Sequence, residues 1–197
     1  MARPADLAKK LEIARDAVAV LQREGVDLSM AALADALNLK RPTLLYHFPT
    51  KADLVQLALV DLLTEQFAYV TEKVAKHTHP IDRLFAHLKA VHAFHAGHEA
   101  RIVFLTQAIA ATAGSRLPEI IAVGAAVFDE HRSDTVKRLR DGIREGTVGP
   151  CNPDALFACI RALVDGLMVQ RVITQAPIHA SHTFIWDHVL APLRLGA

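Results

Sequence analysis

Apolar residues recur along the chain at spacings of three and four almost everywhere, and no stretch alternates apolar with polar residues between hairpin turns. That pattern predicts an all-α protein of about nine helices. The first covers about residues 6–24 and stops at Gly25; the second follows Ser29, as its N-cap, to about Leu37; Asn38 then turns the chain into a short third helix over 41–48. Thr50 and Asp53 form the S/T-x-x-D/E signature that satisfies free amides at a helix start, so a fourth helix runs from there to about Lys76. The others are expected near 80–98, 100–113, 117–145, 153–175 and 181–193, with Gly146 and Gly149-Pro150 closing the long seventh. The result is a three-helix head, residues 1–50, and a helical body, residues 51–197, whose first helix (51–76) links the two.

Of the 197 residues, 52% are hydrophobic and 22% charged, which is too apolar for a disordered chain. Mean hydropathy is high at +0.23, yet uncharged runs such as Ile102 to Ser115 fall short of the roughly 20 residues a membrane span needs. The surplus apolar surface is expected in a subunit interface or a ligand pocket. No apolar run near the start reads as a signal peptide, so a cytoplasmic protein with no membrane association is expected. Cys151 and Cys159, without a CxxC, read as packing residues. Charge is nearly silent, at 22 basic against 21 acidic residues, although the first 51 residues carry a slight positive excess.

Met30, Leu33, Ala34 and Leu37 share one face of the second helix, and Leu39, Leu44, Leu45 and Phe48 join the same core. The small Ala34 lets the two helices cross closely. Pro42, Thr43, Tyr46 and His47 occupy the opposite arc of the third helix, with no aliphatic side chain among them, and Arg41 adds a fork that suits guanine or phosphate. Pro42 is tolerated in a first turn, where amides are unpaired anyway, and its ring can pack on a thymine methyl. On spacing alone two readings stand: an αα-corner with a solvated outer face, and a helix-turn-helix whose short helix enters the DNA major groove.

Ser29-Met30 through Leu33-Ala34, followed by Pro42-Thr43-Leu44-Leu45-Tyr46-His47-Phe48-Pro49-Thr50-Lys51, closely resembles the DNA-binding segment of the TetR family of bacterial transcriptional regulators, over about residues 9–55. The resemblance implies that Arg41, Pro42, Thr43 and Tyr46 face bases, while Ser29, His47 and Lys51 hold phosphates. Lys51 also lies in the first turn of its helix, where free amides and the dipole favour an anion. Three positions depart from the family pattern. Lys40 stands where Ser or Thr is usual, which removes the N-cap bond and offers a further phosphate contact. Leu45 replaces a usual Tyr. Asn38 replaces a usual Gly but tolerates the left-handed turn.

Beyond residue 60 the resemblance is looser. Ala162-Leu163-Val164-Asp165-Gly166-Leu167 with Gln170 looks like the family segment that packs, with the last helix, against its twin in a four-helix dimer interface. Gly166 inside a helix costs roughly 1 kcal/mol relative to Ala, which close packing should offset, either across that interface or within the chain itself. Trp186 reads as an interface anchor or as core. Histidine is abundant, at 11 residues. The apolar stripe Ile81, Leu84, Phe85, Leu88 and Val91 continues through His92 and His95; Leu117, Ile120, Ile121, Gly124, Val127 and Phe128 lead in the same way to His131.

Three explanations of these inward histidines compete: satisfied core residues, polar groups of an effector pocket, or a metal site, for which His98 and Glu99 are alternative ligands. The pocket reading collects Leu88, His92, His95, Phe104, Gln107, Phe128, His131 and Met168. No cofactor and no committed metal site follow. The leading function is a homodimeric repressor that binds a palindromic operator in double-stranded DNA and is released by a small-molecule effector. Two others compete with it: a helical enzyme using the inward histidines, and an architectural DNA binder. The first lacks a Gly-x-Ser-x-Gly, a P-loop, a dinucleotide fingerprint or an HExxH, and the second would not require the long apolar body.

Overall fold

The computed structural model describes residues 4–112, 114 and 117–196; side chains at 4, 5 and 112 and over most of 117–130 lie outside the described set. The described residues form nine α-helices: α1 (Pro4–Glu24), α2 (Met30–Ala36), α3 (Arg41–His47), α4 (Lys51–Val74), α5 (Pro80–His95), α6 (Glu99–Thr112), α7 (Leu117–Glu145), α8 (Pro153–Thr174) and α9 (His179–Ile185). Among them no strand forms, and the one β-bridge joins Val148 to Arg194. Among the described residues no helix is long and apolar enough to cross a membrane. Local chemistry sets the ends of these elements. Gly25 (φ 100°) and Asn38 (φ 53°) take the left-handed conformation that ends α1 and follows α2. Thr50 and Asp53 exchange bonds at the start of α4: the Thr50 amide and hydroxyl donate to Asp53 Oδ2 at 3.1 and 2.7 Å, and the Asp53 amide donates to Thr50 Oγ1 at 3.2 Å.

The last helix departs from the sequence expectation. Instead of one regular helix over 181–193, α9 ends at Ile185, a π turn follows over Trp186–Leu190, and a 3-10 turn over Ala191–Leu193. Pro192 explains the break. Its nitrogen cannot donate to a carbonyl four residues back, and its ring crowds that carbonyl, so the turn before it widens and the Ala191 amide donates to Trp186 O.

The chain gathers into two compact units, one drawn from residues 1–64 and 100–125, the other from 65–99 and 126–197. In the first, Ala14, Ala17, Val18 and Leu21 of α1, Leu33 and Ala34 of α2, Leu44 of α3 and Phe48 are buried with Leu54, Val55 and Ala58 of α4. In the second, Ile81, Leu84, Leu88 and Val91 of α5 form a core with Leu139 of α7 and Ile160, Val164 and Met168 of α8.

Candidate DNA-reading face and buried histidine core

The first unit positions α3 from beneath. Leu44 and Phe48 are 0% and 2% exposed, whereas Lys40, Arg41, Pro42, Thr43 and Tyr46 are exposed, Tyr46 at 78%. Ser29 caps α2, its Oγ accepting from the Ala32 amide at 3.1 Å. The hydroxyl proton stays available to donate outward. Lys40 forms no side-chain cap on α3, in keeping with the missing Ser or Thr. His47 is more enclosed than an open phosphate contact would be. Its ring packs edge-on to Tyr46 at 5.2 Å, and Nδ1 lies 3.7 Å from Asp6 Oδ1. Lys51 Nζ donates to Val26 O at 2.6 Å, so the ammonium ties α4 to the turn after α1 and keeps two further protons for a ligand.

The second unit holds the inward histidines, and each has found a partner within it. The Val164 carbonyl accepts from His92 Nε2 at 2.8 Å, which leaves Nδ1 as the acceptor for His182 Nε2–H at 2.7 Å. The two rings lie within 8° of parallel. His95 Nε2 donates to Gln66 Oε1 at 2.7 Å. His131 stacks on His87, with centroids 4.6 Å apart and planes 18° apart, and its edge meets Phe67. Burial holds four of these rings, His87, His92, His131 and His182, toward the neutral form: desolvation pushes His87 down to about 3, with His131, Arg161 and His92 adding to it, and pushes His182 down to about 4, with His92, Lys89 and His179 adding. His92 and His131 are lowered, first by the same desolvation.

A pH dependence follows. The unfolded chain takes up protons below the ordinary histidine value of 6.5 while the folded rings do not, so stability is full above that value and is lost as pH falls toward the folded values. A fully buried ring such as His87 adds a slope of up to about 1.4 kcal/mol per pH unit. Denaturant titrations at pH 7.5, 6.5 and 5.5 should show falling stability, with a shallower fall in His87→Leu. Equal stability at the three values would contradict the buried neutral histidines.

Sequence reasoning missed His87, His182 and Gln66. His87 lies three residues after Leu84 and four before Val91, so the stripe already contained it; Gln66 likewise interrupts Leu62, Val70 and Val74. Of the expected pocket residues, Leu88, His92, His95 and Met168 are buried, and His131 lines a cavity of about 10 Å³ with His87, Arg83, Thr135 and Arg138. Phe104, half-buried, and Gln107, exposed, belong to the first unit, and the Phe128 side chain lies outside the described residues. His98 is exposed, and Glu99 pairs with Arg171 at 2.8 Å. Among the described residues no three His, Cys, Asp or Glu side chains gather as a metal site.

Helix α8 has two faces. Ile160, Val164 and Met168 point into the core, while Leu163, Gly166, Gln170 and Ile173 are exposed on the other side at spacings of three and four. Leu167 is half-buried, and Trp186 packs on Phe85 with centroids 4.8 Å apart. Among the described residues, a Cβ built on Gly166 meets nothing within 4 Å, so no described neighbour in the chain requires this glycine. Ile173 at 76% and Phe184 at 61% extend the exposed apolar surface beyond what the sequence suggested.

Residues 6–58 match the sequence model of the bacterial regulatory proteins, tetR family. No curated protein matches the chain. Solved structures share the fold over most of its length. The ketosteroid transcriptional regulator KstR2 of Mycobacterium tuberculosis is 22% identical, covering 95% of this chain and 96% of its own at a TM-score of 0.68. The TetR family regulator PfmR from Thermus thermophilus is 19% identical, covering 90% and 98% at 0.70. AibR, in complex with isovaleryl coenzyme A and operator DNA, is 16% identical, covering 81% and 85% at 0.63. The matched segment frames the exposed face of α3, within a fold that the chain shares with these solved transcriptional regulators.

Proposed function

We propose that the protein is a homodimeric repressor, acting in the cytoplasm, whose two α3 helices read a palindromic operator and which a small molecule releases from DNA. The exposed arc of α3 carries this reading: charged and polar side chains from Lys40 to Tyr46 stand over a core of Leu44 and Phe48 and have no apolar task of their own. Arg41, Pro42, Thr43 and Tyr46 are assigned to bases, and Ser29, Lys40, His47 and Lys51 to phosphates. Residues 1–50 then bind DNA, and residues 51–197 bind the effector and the twin subunit. The exposed stripe of α8 supports the dimer, through Leu163, Gly166, Leu167 and Gln170, with Trp186 beside it. The effector is assigned to the histidine core of the second unit. AibR, seen with an acyl coenzyme A and its operator, supports a ligand-responsive reading. Effector and operator must weaken each other by the same factor.

Selection of bound duplexes from a random library tests the class and the stoichiometry together. The expected product is an inverted repeat with half-sites spaced by about one helical turn or a multiple of it. Enrichment of a single unrepeated site, or of none, would overturn the proposal.

A further inference from the structure

We propose that Asp6 is a positioning residue for DNA binding: it holds His47 as a doubly protonated imidazolium between its own carboxylate and a DNA phosphate, so that binding takes up a proton and tightens as pH falls. The inference rests on the DNA-reading assignment of α3 above and adds the protonation state of one contact. His47 is the last residue of α3, and the ring of the exposed Tyr46 meets it edge-on at 5.2 Å. Its side chain is 12% exposed. Nδ1 is buried and makes no hydrogen bond. Asp6 Oδ1, in the first turn of α1, stands 3.7 Å from it, too long for a hydrogen bond but within reach of an ion pair. A buried polar atom left unpaired is costly, and the carboxylate is the group placed to relieve it.

Asp6 decides which protons the ring must carry. A neutral imidazole has one N–H and one lone pair. With the proton on Nε2, the buried Nδ1 lone pair faces a carboxylate oxygen, and neither satisfies the other. With the proton on Nδ1, the ring can lean toward Asp6 and donate to it, but Nε2 is then an acceptor. A phosphate oxygen is an acceptor too, so that form of His47 has nothing to offer DNA. The imidazolium alone donates from both nitrogens, and the carboxylate and the phosphate each favour its charge. No other group replaces Asp6. Lys10 follows it one turn along α1, Asp35 is the titratable side chain of α2, and Lys40, Arg41 and Tyr46 share α3 with the ring. At the start of α4, Asp53 is bonded to Thr50, and the Lys51 ammonium is turned to the Val26 carbonyl. Among the described residues, Asp6 is the carboxylate within ion-pair reach of His47.

The test is titration of the full chain with the selected operator and with a random duplex, at fixed salt and at pH 6.5, 7.5 and 8.5. Wild-type affinity should fall by up to about tenfold per unit as pH rises, and calorimetry in MOPS and in Tris should show proton uptake on binding. His47→Gln keeps one donor for the phosphate and has no proton to gain. Asp6→Asn can donate its amide to Nδ1, which leaves a neutral ring with Nε2–H for the phosphate. Both variants should lose at least half of the wild-type slope. In the wild-type complex the ¹⁵N resonances of His47 Nδ1 and Nε2 should both report protonated nitrogens. Thermal melts check folding, and the ¹⁵N measurement serves if Asp6→Asn does not fold. A neutral His47 in the complex overturns the proposal. So does an Asp6→Asn protein that binds more weakly by the same factor at every pH, since Asp6 is then only structural. A phosphate contact is independent of sequence, so the random duplex separates the two readings. A pH slope without any palindrome supports the proton link and sinks the operator; a palindrome bound with no slope does the reverse; no binding to any duplex sinks both.

Discussion

Gly166→Leu combined with Ile173→Asp should turn the protein into a folded monomer that binds its selected operator about 10²- to 10⁴-fold more weakly, the loss expected when two linked heads become independent. The chain itself should tolerate both changes. A side chain at Gly166 enters open space, and Ile173 is 76% exposed, so neither substitution removes a contact that holds the protomer. Across a two-fold interface the same changes put a branched side chain where two helix backbones approach and a charge where apolar surface is covered. Sedimentation of wild type and variant, with thermal melts to check folding, reads the result. A wild-type monomer at micromolar concentration would refute the interface, as would a variant that stays dimeric.

Arg41→Ala should cost about 1 to 3 kcal/mol on the selected operator and almost nothing on random duplex, because a side chain that reads a base edge loses only the discriminating part of binding. Arg41 is the first residue of α3, exposed, with its fork free of the core beneath. Lys51→Ala should behave differently, weakening all duplexes similarly and reducing the salt slope by about one unit. Lys51 also holds the Val26 carbonyl, so its variant needs a melt alongside the binding curve to separate a lost phosphate contact from a loosened turn. Equal loss for Arg41→Ala on operator and random DNA would reduce Arg41 to a phosphate contact.

The head was the most legible part of the sequence because its signals are local. Ser29 three residues before a bonded amide, Asn38 where the backbone turns left-handed, and Thr50 paired with Asp53 all act within one helical turn. Periodicity also pointed His92, His95 and His131 inward, but direction is all that periodicity can supply. The partner of His92 is His182, ninety residues along, and the partner of His95 is Gln66 on another helix. Those pairings depend on how helices pack, which no local pattern records. The π turn at Trp186 stayed hidden for a related reason: Pro192 marks a disturbance, but how the backbone absorbs it upstream depends on what Ile185 and Leu190 are packed into. Ile173 and Phe184 were missed because an apolar residue on a surface reads, in sequence, like one in a core.

Helix α3 has seven residues and no side-chain cap at Lys40, and a helix of that length does not persist alone in water. Its order is lent by Leu44 and Phe48 beneath it. The reading surface is therefore a floating element, free to open locally more easily than the long helices around it. In the proposed docking, such an element settles its pitch against the groove, and one arc of side chains then adapts to small differences between two half-sites. The same looseness makes specificity depend on core residues that never touch DNA.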